Sequence, residues 1–65
     1  MKNELKVFRA KKDIIQKELA TEMDVSRQTI NAIETGKYNP SLELALKLSD
    51  FFECSVADLF KLEDE

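Results

Sequence analysis

The sequence predicts an all-α fold of five short helices, with residues 1–65 forming a single domain. Three observations point there. Apolar residues recur at spacings of three and four, and no stretch alternates with the period of two that a half-buried strand requires. Polar capping residues stand just ahead of several of these apolar runs. One Gly and one Pro are too few for a turn-rich β fold.

The first helix is expected over residues 4–12, with Asn3 as its cap and Leu5 and Phe8 sharing a face. Lys11, Lys12 and Asp13 make a charged exit. A second short helix covers residues 16–22, and Met23, Asp24 and Val25 break it from the next. Ser26 caps a third helix running to about Thr35, with Ile30 and Ile33 as its buried stripe. Gly36 sits where a helix C-terminus takes a left-handed residue, a conformation glycine adopts without steric cost. After the loop Lys37–Asn39 and Pro40, Ser41 caps a fourth helix over residues 42–52. Its Leu44, Ala45, Leu48, Phe51 and Phe52 form one broad apolar face. Ser55 caps a short fifth helix, with Asp58 three residues on in a capping-box arrangement. The chain leaves through Leu59, Phe60 and Leu62 to Glu63, Asp64 and Glu65, which are expected to fray.

A 65-residue domain buries only about 60% of its unfolded surface, so its stability is marginal without help. Cys54 is the only cysteine, which excludes a disulfide, and with no histidine no metal site is expected. Oligomerisation is the remaining common aid. No long apolar run follows Met1, Lys2, Asn3 and Glu4, so neither a signal peptide nor a membrane span is expected. The expected location is the cytoplasm, with Cys54 reduced. Net charge is −3, which by itself disfavours nucleic acid. Its distribution is uneven, however: residues 1–40 hold eight Lys/Arg against six Asp/Glu, and residues 41–65 hold two against seven. The first segment can face a phosphate backbone and the second cannot. On charge alone, a mixed solvated surface is the stronger reading.

Residues 16–35 carry the pattern of a helix-turn-helix, in which two short helices pack steeply through a tight turn. Leu19, Met23, Val25, Ile30 and Ile33 are its apolar positions, and Ala20 is the small residue such a crossing needs. Asp24 occupies the turn, and Asp tolerates positive φ better than most residues. Each of these has an ordinary explanation alone: a good helix former, a bundle stripe, a loop acid. The joint spacing is what points to the motif. Ser26, Arg27, Gln28, Thr29 and Asn31 cluster near the start of the third helix, and these residue types bond base edges or phosphates. A solvated helix start capped by Ser26 is the plainer reading of that cluster.

The stretch QKELATEMDVSRQTINAIETGKYNPSLELALKLSDFF resembles the phage-repressor and Cro type of helix-turn-helix regulator, the XRE-like family, with its lambda-repressor-like fold. More narrowly, VSRQTINAIE and GKYNPSLELALK are similar to small stand-alone bacterial members. The resemblance runs from about Leu5 to Phe60. It implies base reading by Arg27, Gln28 and Asn31. It implies phosphate contacts from Gln16 with Lys17 beside it, from Ser26 and Thr29, and from the loop Lys37, Tyr38 and Asn39. It also implies a structural ion pair between Arg9 and Glu34. Related small regulators place a short β segment near the chain ends, and residues 60–62 could serve. Two departures stand out. Ile15 occupies the place where relatives carry a Ser or Thr cap, worth about 1 kcal/mol. Asp24 stands where a turn Gly is common, a mild change.

The function implied is a sequence-specific regulator of transcription, a repressor that binds double-stranded DNA at a palindromic operator as a homodimer. Two-fold dimers read half-sites about one helical turn apart. Val56, Leu59, Phe60 and Leu62 are the candidate dimer surface, although Leu59 in particular could instead pack on helix 4. The expected setting is the nucleoid of a bacterium or archaeon. No cofactor is expected, and no effector-binding segment is visible, so regulation would come from a partner protein or from concentration. Two rival readings keep the fold: a protein-interaction module that has lost DNA binding, and the antitoxin of a toxin–antitoxin pair. The net charge favours the first, whereas Gln16, Arg27, Gln28 and Lys37 argue against it; an antitoxin would carry an added segment for its toxin. An enzyme is not expected, for there is no histidine base and no Gly-rich phosphate loop.

Overall fold

The computed structural model describes residues 1–62; the expected fraying of residues 63–65 lies outside them. In chain order the elements are β1 (Lys2–Asn3), α1 (Leu5–Lys11), α2 (Gln16–Met23), α3 (Arg27–Glu34), α4 (Leu42–Phe52), α5 (Val56–Leu59) and β2 (Phe60–Lys61). Five helices therefore form where capped apolar runs were expected, with ends within a residue or so of the reading above. Three of the starts are built by serine caps. Ser26 Oγ accepts the Thr29 N–H at 3.1 Å, Ser41 Oγ accepts that of Leu44 at 3.1 Å, and Ser55 Oγ accepts that of Asp58 at 3.0 Å. Asp58 returns the bond by accepting the Ser55 N–H, which completes a capping box.

Asn3 caps α1 from a different position than expected. It lies in β1, with Glu4 between it and the helix, and its Oδ1 accepts the Leu5 N–H at 3.1 Å. Its Nδ2 donates to the Ile33 carbonyl at 2.8 Å, so one side chain ties the N-terminal strand to the end of α3. Ile15 has the extended backbone of an N-cap, φ −90° and ψ 167°, but offers no acceptor; its side chain is 60% exposed. Half of the box survives, since Glu18 Oε1 accepts the Ile15 N–H at 3.0 Å.

Four helices end alike. Asp13, Asp24, Gly36 and Glu53 take φ of 57°, 60°, 81° and 56°. In each case the N–H of the next residue reaches back five residues to a helical carbonyl: Ile14 to Arg9, Val25 to Ala20, Lys37 to Ala32 and Cys54 to Ser49. That is the left-handed termination that satisfies orphan carbonyls at a helix C-terminus. The turn between α2 and α3 is therefore set by Asp24.

Leu5, Leu19, Ile30, Ile33, Leu48 and Leu59 are fully buried and draw all five helices onto one core. Phe8, Phe51 and Phe52 close one end of it, with ring centroids 5.9 Å apart for Phe8–Phe52 and 5.0 Å for Phe51–Phe52. Lys11 and Lys12 lie over the rings of Phe8 and Phe51. β1 and β2 pair antiparallel, Lys2 opposite Lys61 and Asn3 opposite Phe60, and fasten the two ends of the chain together. Burial of Leu59 (0% exposed) and Phe60 (8%) narrows the expected dimer surface: both pack into the protomer's own core, Leu59 leaving no surface for a partner and Phe60 little. Burial and, secondarily, the nearby Asp58 carboxylate hold the Cys54 thiol above its ordinary pKa, which disfavours the thiolate.

Candidate nucleic-acid interface

The Ser26 cap aims the first turn of α3 outward. Its hydroxyl lies 2.9 Å from Thr29 Oγ1, so both hydroxyls are engaged at the helix start. Arg27, Gln28 and Asn31 are exposed on α3, and no acidic residue stands in its first turn. The buried Ile30 and Ile33 hold the opposite face against the core. Together with Gln16 from the start of α2, Arg27, Gln28 and Asn31 line one surface concavity. The structure thus gathers the three expected base readers and one expected phosphate contact into a single patch. Lys17 is exposed in the first turn of α2, and it lines a neighbouring hollow with Ile15, Gln16 and Arg27.

Beneath this patch runs a chain of polar contacts. Arg9 Nε donates to Glu34 Oε2 at 2.7 Å, and Arg9 Nη2 donates to Glu34 Oε1 at 3.3 Å. Arg9 Nη1 donates to the Ile14 carbonyl at 3.0 Å, which pins the linker ahead of α2. The side chains of Arg9 and Glu34 are only 15% and 5% exposed. Glu34 Oε1 also accepts from Gln16 Nε2 at 2.9 Å, and the same nitrogen donates to Asn31 Oδ1 at 3.2 Å. The Arg9–Glu34 pair therefore joins α1 to α3 and continues to the surface. This linkage was invisible in the sequence, which suggested Gln16 and Asn31 only as separate DNA contacts. With both amide hydrogens engaged inside the protein, the Gln16 side chain has no N–H left for a phosphate.

Gly36 turns the chain away from α3, and the N–H groups of Lys37 and Tyr38 both reach the Ala32 carbonyl, at 2.9 and 3.2 Å. The loop that follows is held against the end of the helix, with Lys37, Tyr38 and Asn39 all exposed. Among the expected dimer residues, Val56 is half-buried and Leu62 is 84% exposed. Sequence reasoning missed Leu42 and Leu46, which are 73% and 52% exposed. They stand one helical turn apart on α4, outside its core stripe, and that spacing is the signal that marks an exposed apolar pair. Among the described residues no cluster of metal-ligating side chains occurs, and no helix is long and apolar enough to cross a membrane.

Comparisons with known proteins bear on the family and the fold. A helix-turn-helix family model matches residues 5–59. An HTH-type transcriptional regulator of Methanocaldococcus jannaschii is 52% identical over 65 residues, covering 100% of this chain and 98% of that protein. The HTH-type transcriptional regulator YgzD of Bacillus subtilis is 46% identical, with 100% and 98% covered. The crystal structure of the clp gene regulator ClgR from Corynebacterium glutamicum superposes with a TM-score of 0.75 at 35% identity over 83% of this chain, which spans 57% of that one. The chain belongs to the XRE-type helix-turn-helix family.

Proposed function

We propose that this protein is a transcriptional repressor that binds a palindromic operator in double-stranded DNA as a homodimer. The observation that carries the reading is the joint exposure of Arg27, Gln28 and Asn31 on the capped end of α3. An α-helix fits the B-DNA major groove, and Arg and Gln can each make two coplanar bonds to guanine and adenine respectively. In this reading Lys17, Lys37, Tyr38 and Asn39 flank the groove and meet phosphates, along with whichever of the Ser26 and Thr29 hydroxyls does not donate to the other. Gln16 offers a phosphate its backbone N–H. Val56 and Leu62, which remain accessible, contribute to the contact between protomers. The relatives' names, transcriptional regulators in each case, support regulation rather than catalysis.

Binding of a labelled operator at several salt concentrations tests the assignment. Lys37→Ala is expected to weaken all sequences alike and to reduce the salt slope by about one unit. Gln28→Ala is expected to weaken the best site by roughly 1–3 kcal/mol and unrelated DNA hardly at all. Equal losses on operator and unrelated DNA for Gln28→Ala would contradict the reading. Sedimentation equilibrium addresses the oligomer: a monomer both free and on DNA contradicts the homodimer.

A further inference from the structure

We propose that Gln16 is a positioning residue that fixes the polarity of the Asn31 amide, so that Asn31 presents its NH2 group, and not its oxygen, to the DNA. The proposal rests on the reading of α3 as the base-reading helix.

The nitrogen and oxygen of a side-chain amide are distinguished by their partners. Here the first partner leaves no choice. Glu34 is a carboxylate held by the Arg9 guanidinium at 2.7 Å, and a carboxylate only accepts. The Gln16 group 2.9 Å from Glu34 Oε1 must therefore be its NH2. An NH2 has two hydrogens; the second points to Asn31 at 3.2 Å and requires an acceptor there. Asn31 must turn its Oδ1 inward. Its Nδ2, which has no partner among the described residues, then faces out of the concavity that Gln16, Arg27, Gln28 and Asn31 share. A fixed positive charge on α1 thus sets the hydrogen-bonding polarity of a side chain on α3, through two alternations of donor and acceptor.

The consequence concerns specificity. A free Asn reads adenine with both atoms, Nδ2 donating to N7 and Oδ1 accepting from the N6 amino group. An Asn whose Oδ1 is turned inward to Gln16 cannot lay both atoms in the plane of an adenine edge, and it presents its donating half to the groove. Guanine, with acceptors at both N7 and O6, suits a lone NH2 better than adenine, which places a donor beside its one acceptor. Asn31 is expected to favour a G·C pair over an A·T pair at the position it faces.

The test is selection from randomised operators with the wild-type chain, Asn31→Ala and Gln16→Met. Methionine keeps the length of the side chain and removes the hydrogen bonds. Asn31→Ala identifies the base pair that Asn31 reads by flattening the preference there. At that position the wild type is expected to enrich G·C, and Gln16→Met, by releasing Asn31 Oδ1, is expected to shift the ratio toward A·T by about five-fold or more. An A·T preference already present in the wild type, or a ratio unmoved by Gln16→Met, overturns the inference while leaving α3 as the reader. A motif untouched by Asn31→Ala overturns the role of Asn31 itself. Amide-proton exchange by NMR gives a readout that does not depend on DNA or on the stability of a variant. Both Gln16 Nε2 protons of the wild-type protein are expected to exchange more slowly than those of Asn31, and the reverse order overturns the proposal.

Discussion

Replacing Ile15 with Thr is expected to stabilise the protein, and the structure sets the size of the gain. Ile15 already has N-cap backbone geometry, at φ −90° and ψ 167°, so no rearrangement is required. A threonine hydroxyl there can accept the Glu18 N–H, one of the orphan donors of the first turn. Glu18 Oε1 already accepts the residue-15 N–H at 3.0 Å, so the substitution completes a capping box. Caps of this kind contribute ~0.5–2 kcal/mol, typically ~1. The opposing loss is small because Ile15 is 60% exposed. Fully burying an isoleucine is worth ~1.5–3 kcal/mol; the buried two-fifths comes to ~0.6–1.2, and Thr keeps about half of that through its methyl group. The expected net gain is ~0.5 kcal/mol, or ~2–4 °C in melting temperature for a domain of this size. Thermal unfolding by circular dichroism, repeated in a Glu18→Ala background where the gain should shrink, measures it. An unchanged or lower melting temperature would show instead that the packing of Ile15 outweighs a missing cap.

Glu34→Ala leaves the Arg9 guanidinium, 15% exposed, without its carboxylate. The loss in urea unfolding should exceed the ~1 kcal/mol of a typical substitution and approach the ~3–5 kcal/mol of a broken buried pair; a wild-type midpoint contradicts a structural role. Glu53→Gly should gain ~0.5–1 kcal/mol, since relief of ~1–2 kcal/mol of left-handed strain at φ 56° exceeds the added entropy of glycine. A destabilised Glu53→Gly protein would show that the turn is not strained. The Asp58 carboxyl is held below its ordinary pKa by hydrogen bonds from the Ser55 backbone and then from the Ser55 side chain. Its contribution is therefore fully present above the unfolded carboxylate pKa and is lost as pH falls through the lower folded value. The stability gap between wild type and Asp58→Asn should close across that acid range, and a gap independent of pH would contradict the assignment.

Much of the fold was legible because its signals are local. Ser26, Ser41 and Ser55 announce three helix starts, and Gly36 and Asp24 announce two ends. Glu53 takes the same left-handed conformation without a residue type that advertises it, and Asp13, an Asp like Asp24, stood in a charged exit with no following helix-turn-helix spacing to mark it as a left-handed end. The terminal sheet has two residues per strand, too few to show alternation, and its presence rests on the Leu59 carbonyl taking the Glu4 N–H at 2.8 Å and on the pairing beyond it. Phe60 and Leu59 looked like a surplus of apolar residues because their partners lie at the far end of the chain. In the candidate site the exposed α3 residues were legible from capping and periodicity. The link from Gln16 to Asn31 and Glu34 was not, since it joins positions 15 and 18 residues apart and depends on how α2 crosses α3.

In the proposed function, the capped end of α3 reads base sequence. Selection of randomised duplexes with the wild-type protein, Arg27→Ala and Gln28→Ala tests it most directly, with each variant first shown to melt as a folded protein. The wild type is expected to select a two-fold symmetric motif. Each substitution is expected to erase preference at its own base pairs in both half-sites, leaving the remainder of the motif in place. A motif that survives both substitutions unchanged, or no motif for the wild type at all, would contradict it.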